Sequence, residues 1–405
     1  MTSAFLCADI GTSSLKAALI DMSGSVRAYS RQYFGGICHA GVLPHVSVSL
    51  WCDSFVRAVH ALLHECCCEV LGICISGNGP TLVSDDGTLL LWNEPVPAYV
   101  PSAVGRSLFI PRLLFFRTVY HASWNNSRYI YSGPEYLMYW LTGTALTILP
   151  ESRYREAYWT ELSLAENEIE ADKLPPFAAP GELAGYVRQE QAELLGLAER
   201  TPVYCGAPDF ITALVGTDTL APGRLCDRAG SSEGLNLCTR EPVHESGIRT
   251  LPSVLPELYN ASVLSMDSGS RFSEYKKRTA PQLSYAALID RLIQEGSGEG
   301  FALMADIAGG VRRGVELLRE IAHQQGAGDV QSMCITGGQA KNSAWVQFKS
   351  SAAGIAIIVP ECPDSELVGD AVFAGLGRGE FSSIAEGAQA LFHAAQVYEP
   401  EHTVE

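Results

Sequence analysis

The sequence predicts an α/β protein built from two similar regions, and three observations predict it. Short apolar runs suited to strands alternate with segments whose apolar residues recur at helical spacing, in both halves of the chain. Turns bearing glycine and hydroxyl residues follow apolar strand-like runs in each half. The chain has 405 residues, more than one hydrophobic core usually organises, so two domains are expected, residues 1–200 and 201–405.

The elements follow in order. Residues 5–10 are apolar and close on Asp9 and Ile10; Gly11, Thr12, Ser13 and Ser14 make a turn; residues 15–20 are again apolar, and a second turn leads into 25–33. This is a β-meander. Residues 51–68 place Phe55, Val59, Leu62 and Leu63 on one helical face. Residues 70–75 read as a strand ending at Ser76-Gly77-Asn78-Gly79-Pro80, and 81–83 with 89–92 as a hairpin. Helices are predicted over 107–116 and 134–141, the second stopped by Thr142-Gly143. Residues 201–205 form a strand and 210–215 a helix, with Gly206-Ala207-Pro208-Asp209 joining them. A long helix over 301–323, a strand over 330–336, a helix over 344–353, a strand over 356–359 and a small-residue helix over 367–375 complete the second half.

Composition excludes several classes. The formal charge of -17 argues against a general nucleic-acid or anionic-membrane surface. It does not oppose ATP, because backbone N–H groups and Mg²⁺ hold phosphates on acidic proteins. No apolar run approaches the roughly 20 residues of a membrane helix, and the apolar stretch at residues 4–8 is too short for a signal peptide. Twelve cysteines include no CxxC pair. Cys66, Cys67 and Cys68 are consecutive, whereas zinc needs ligands that converge from separated positions, so a buried helix is the simpler reading. A reducing cytoplasm suits such thiols.

Four constellations carry chemistry. In Asp9-Ile10-Gly11-Thr12-Ser13-Ser14, glycine lets backbone approach a phosphate, hydroxyls and N–H groups can donate to it, and Asp9 can hold hydrated Mg²⁺. The bland alternative is an ordinary hairpin. Asp209 lies between an apolar strand and a helix, where it serves as an N-cap, as a base facing a cleft, or as both. Ala229-Gly230-Ser231-Ser232-Glu233-Gly234 repeats the logic of the first turn, against the alternative of a common Gly/Ser loop. In Thr336-Gly337-Gly338-Gln339-Ala340-Lys341-Asn342 a Gly-Gly turn offers flat backbone on which a nucleotide can lie. It matches neither the Walker A loop nor the Rossmann fingerprint.

The order of these motifs resembles the FGGY carbohydrate kinases of the actin-like ATPase superfamily. The likeness also takes in Trp51, Ser76-Gly77, Leu91-Trp92-Asn93, Pro134-Glu135-Tyr136-Leu137 and residues 366–379, and runs from about residue 9 to 379. The resemblance implies two ribonuclease-H-like lobes around a central nucleotide and sugar cleft. It implies Asp209 as general base for the acceptor hydroxyl and Asp9, with Asp209, at Mg²⁺. Gly11, Thr12 and Ser13, with Gly230, Ser231 and Ser232, would bind the ATP phosphates. Gly337, Gly338, Gln339 and Asn342 would hold the adenosine, and Gly77 and Asn78 would stand with Asp209 at the sugar. The cofactors implied are ATP and Mg²⁺, and the partner is a small sugar or polyol, as in the xylulokinase-like members; a homodimer is allowed for.

The departures fall on the sugar side. Where the family often has Gly-Gln-Met-His, this chain has Gly77-Asn78-Gly79-Pro80, and Trp92-Asn93-Glu94-Pro95-Val96 lacks the family's arginine. The chain is also short between Ser232 and Gly337. Two other readings follow: a catalytically impaired or regulatory relative, and an actin-like or chaperone-like ATPase.

Overall fold

The computed structural model describes residues 2–35, 46–96, 107–265 and 267–401. The chain divides into one unit of Met1–Thr212 with Glu366–Leu391 and a second of Ala213–Ser365 with Phe392–Glu405. Asp209 therefore sits with the first unit, because its strand Pro202–Pro208 pairs parallel with Cys68–Gly77 of the first sheet.

The first unit is organised by a six-stranded sheet. Its order is Leu183–Tyr186, Pro202–Pro208, Cys68–Gly77, Thr2–Ile10, Ser14–Asp21, Val26–Tyr33. Leu6, Ala8, Leu15 and Leu19 pack with Phe55, Val59 and Leu62 of the helix Val48–Glu65, all buried. Burying each such large side chain contributes about 1.5–3 kcal/mol. The helix starts where the Ser47 hydroxyl accepts from the Leu50 N–H at 3.2 Å.

The helix Glu366–Arg378 packs against the strands Thr2–Ile10, Cys68–Gly77 and Pro202–Pro208. Glycines permit this approach. A Cβ on Gly369 would lie 2.1 Å from the Thr212 carbonyl oxygen, and one on Gly206 would lie 2.4 Å from that of Ile75. Any larger residue at either position would push the backbones apart.

The second unit repeats the plan with a seven-stranded sheet. Its order is Arg249–Pro252, Tyr259–Ser265, Glu233–Thr239, Leu225–Ala229, Ser332–Thr336, Ala356–Pro360, Ala394–Tyr398. In both units an antiparallel hairpin has its first strand paired parallel with a later strand: Thr2–Ile10 with Cys68–Gly77, and Leu225–Ala229 with Ser332–Thr336. The long helix Gly298–Gln324 covers the second sheet through Val311, Val315 and Leu318.

Some boundaries differ from the sequence reading. The helix expected over 51–68 runs Val48–Glu65, so Cys66 and Cys67 fall in the turn after it and Cys68 begins a strand. The helix expected over 107–116 runs Ile110–Val119, because Ser107 turns the chain, its hydroxyl accepting from the Phe109 and Ile110 N–H groups. Among the described residues no disulfide forms, no cluster of three acidic, histidine or cysteine side chains could hold a metal, and no helix is long and apolar enough to cross a membrane.

Candidate active site

In the first unit the site grows from two adjacent strand ends. Asp9 and Lys16 face each other across the first hairpin, and the Lys16 ammonium donates to Asp9 Oδ2 at 2.9 Å. Glu366 lies 3.8 Å from the same ammonium. Asp9 is buried, and its Oδ1 has no hydrogen-bond partner among the described residues. Between Asp9 and Ser14 the turn closes through the Gly11 N–H, which donates to the Ser14 carbonyl at 3.0 Å and leaves Thr12 and Ser13 exposed.

The neighbouring strand ends at Gly77, and its successor Asn78 joins the loop to the acidic residue opposite. The Asn78 amide donates through Nδ2 to Asp209 Oδ2 at 2.7 Å. Its Oδ1 accepts from the Thr12 N–H at 2.8 Å and from the Thr12 hydroxyl at 3.1 Å. Its own N–H donates to the Ile10 carbonyl at 3.1 Å. The Trp92 indole N–H donates to the Thr12 hydroxyl at 3.2 Å. Asp209 opens the helix Asp209–Gly216, where an anion is favoured by the helix dipole. The first unit thus gathers Asp9, Gly11, Thr12, Asn78 and Asp209.

Beneath them lies Asp370, fully buried, which accepts from the Ser76 hydroxyl at 2.9 Å. Burial, with Asp9 and Glu366 nearby, pushes its carboxyl well above the usual range. Sequence reasoning missed Lys16, Asp370 and Glu366. Their signal was available: Lys16 is the one charged residue in the apolar run 15–20, and Asp370 interrupts a helix of small apolar residues.

In the second unit the turn at Gly230 repeats the first. The Gly230 N–H donates to the Ser232 carbonyl at 2.9 Å. Ser231 is held from behind, since its carbonyl accepts from the Ser270 N–H at 2.9 Å. The strand Ser332–Thr336 delivers Gly337 beside this turn. Gly337 has φ +96°, and a Cβ there would lie 2.7 Å from the Ala229 carbonyl oxygen, so only glycine fits. Gly338 is open, with no atom near the place of a Cβ. Gln339 ties the two loops together: its Nε2 donates to the Gly230 carbonyl at 3.1 Å, and its Oε1 accepts from the Trp345 indole at 2.6 Å. Asn342 caps the helix Ser343–Ala353, its Oδ1 accepting from the Trp345 N–H at 2.9 Å.

The two strands leading into and out of the Gly230 turn carry Asp227 and Glu233, and the buried Lys349 ammonium donates to both. Burial and the neighbouring Glu233 push the Asp227 carboxyl from its usual 3.8 up to about 7. A raised native pKa means that folding takes up a proton between these two values. Stability from this group is therefore greatest at low pH and is lost as pH rises from 3.8 to about 7. In Asp227→Asn the fall of Tm across that window should flatten, as melting curves at several pH values would show; an unchanged slope would remove Asp227 as its cause.

The Asn78 bridge carries a second prediction. Asn78→Leu keeps the approximate volume and removes both ends of the bridge. Turnover should fall roughly tenfold, with thermal stability little changed because Asn78 lies at a loop surface; steady-state kinetics and a melt would check both.

Residues 297–377 match the FGGY family of carbohydrate kinases, C-terminal domain. An autoinducer-2 kinase of Escherichia coli (strain SMS-3-5 / SECEC) is 22% identical over 97% of this chain and 89% of its own. A xylulose kinase of Bacillus subtilis (strain 168) is 21% identical over 97% of this chain and 92% of its own. Among solved structures, a ligand-bound xylulose kinase from Lactobacillus acidophilus superposes with TM-score 0.79 at 16% identity, over 98% of this chain and 94% of that one. A gluconate kinase from the same organism gives 0.80 at 16% identity, over 99% and 94%. The chain thus shares the fold of these sugar-kinase structures, and residues 297–377 match the C-terminal domain of the FGGY carbohydrate kinases.

Proposed function

We propose that this protein transfers the γ-phosphoryl group of ATP to a hydroxyl of a small sugar or polyol, in the manner of xylulokinase-like enzymes. The observation that carries the reading is the Asn78 bridge, which holds the Asp209 carboxylate in register with the Thr12 end of the Gly11 turn.

Phosphoryl transfer needs positioning and charge neutralisation more than covalent help. Asp209 accepts the proton of the attacking hydroxyl and orients its oxygen. Asn78 fixes one carboxylate oxygen of Asp209. The Gly11 and Gly230 N–H groups close the two turns; Ser13 beside Thr12, and Ser231 and Ser232 in the second unit, offer hydroxyl donors to phosphate oxygens. Gly337 and Gly338 supply side-chain-free backbone for the adenosine, with Gln339 and Asn342 beside it.

The residues fit Mg²⁺. Among the described residues a buried carboxylate oxygen of Asp9 has no hydrogen-bond partner, and Mg²⁺ is usually held by one or two carboxylates plus substrate phosphates and water. Asp9 would hold it through its waters, with Asp209 as the second carboxylate. When bound, the ion neutralises charge on the transferring phosphoryl group.

ADP release from ATP and Mg²⁺ should rise above the acceptor-free rate with at least one member of a panel of ketoses, aldoses and polyols. Nucleotide binding with no acceptor-dependent release would favour an impaired or regulatory relative, the reading suggested by Gly79 and Pro80 on the acceptor side. Acceptor-independent hydrolysis would favour an actin-like or chaperone-like ATPase.

A further inference from the structure

A pocket in the first unit adjoins the proposed base. Pro208 and Phe210, on either side of Asp209, both line it, and so do Gly77 and Gly79, on either side of Asn78. Its other walls are the rings of Phe109, Tyr154 and Tyr158 and the side chain of Leu108, with Pro80 and Pro134. The rings of Phe109 and Tyr158 pack against each other, tilted by 30° with 4.5 Å between centroids. The positions that could offer an acceptor hydrogen bonds beside Asn78 are Gly79 and Pro80, which have no polar side chain.

One buried carboxyl also lines the pocket. Glu135 is 2% exposed, and its Oε1 accepts from the Ile148 N–H at 3.0 Å. Its Oε2 is buried with no hydrogen bond among the described residues, although the Ser132 hydroxyl of the same pocket steadies the carboxyl and burial pushes it above the usual range. A buried carboxylate oxygen left without a donor is costly, so a ligand O–H placed there would be strongly favoured. A fully hydroxylated sugar would lose hydrogen bonds to water against the apolar faces of this pocket, where only Ser132, Glu135, Tyr154 and Tyr158 carry polar side chains to replace them.

We infer that the acceptor is an alcohol with an apolar arm, seated between Phe109, Tyr158, Phe210 and Leu108, with one further hydroxyl donated to Glu135. This rests on the kinase reading of the same site and narrows its substrate class from polyhydroxylated sugars to diols or deoxy and branched polyols. Apolar area removed from water supplies the affinity, and Glu135 supplies orientation.

The test uses glycerol and the vicinal terminal diols of propane, butane and pentane. Their equilibrium binding to the whole protein is measured by ligand-observed NMR without ATP, and ADP release is then measured with ATP and Mg²⁺. Affinity should rise roughly fourfold with each added methylene, the equivalent of burying a CH₂, and glycerol should be the weakest. Leu108→Gln, at a half-exposed position that tolerates substitution, should flatten the rise. Glu135→Gln keeps the shape and the acceptor for Ile148, and should weaken every diol by about tenfold. Equal binding of glycerol and pentanediol, or a rise unchanged in both variants, would overturn the inference. Affinity that rises with chain length but brings no ADP release supports the pocket and counts against the kinase. Sugar-dependent ADP release with a flat diol series does the reverse.

Discussion

Asp209→Asn is expected to lower kcat by roughly 10²–10⁴-fold while leaving ATP affinity and Tm nearly intact. Asparagine keeps the shape of the side chain and can open a helix about as well as aspartate does. An amide oxygen at the position of Oδ2 still accepts from Asn78 Nδ2, now at 2.7 Å from a carboxylate oxygen. What asparagine cannot do is take a proton. The substitution therefore separates a base from a cap at one atom. Activity within a few-fold of the parent would leave Asp209 as a helix-opening residue only.

Asp9→Asn should lower kcat/KM by roughly 10²–10³-fold, the usual loss when one centre of transition-state charge stabilisation is removed. It should also right-shift the Mg²⁺ dependence, because the buried Oδ1 that fits the hydrated ion loses its charge. The fold should survive at a cost of about 1–3 kcal/mol. Asparagine still accepts from Lys16, and Glu366, 3.8 Å away, remains to balance that cation. A Mg²⁺ titration beside a melting curve would distinguish the two effects. Parental Mg²⁺ dependence in a folded variant would remove Asp9 from the ion.

Much of this site was legible because its parts are local. A carboxylate, a glycine and hydroxyls in one hairpin are neighbours in sequence, and the device recurs: the Gly11 N–H closes on Ser14 and the Gly230 N–H on Ser232. Gly337 could be read as backbone without a side chain, and the structure gives the reason in the nearby Ala229 carbonyl. The Asn78 bridge was not legible, since it joins three segments that only the sheet brings together. Nor was Asp370, whose contact with Ser76 joins residues 294 positions apart. The strand Tyr259–Ser265 and the helices Ser268–Thr279 and Tyr285–Glu295 went unread. The helix Ser268–Thr279 buries only Ser268 and Phe272, so it shows little apolar periodicity. Cys66–68 misled in the other direction, because an apolar residue type extended the helix past the point where the chain turns into a strand.

The central claim is that the γ-phosphoryl group passes to an alcohol oxygen under control of Asp209. Phosphorus NMR of a reaction with ATP, Mg²⁺ and an acceptor from the sugar and diol panels observes that transfer directly. The account predicts a new phosphomonoester resonance growing in step with ADP for the parental protein, and none for Asp209→Asn over the same time. Inorganic phosphate as the only new product, or an equal rate of phosphomonoester formation in Asp209→Asn, would contradict it.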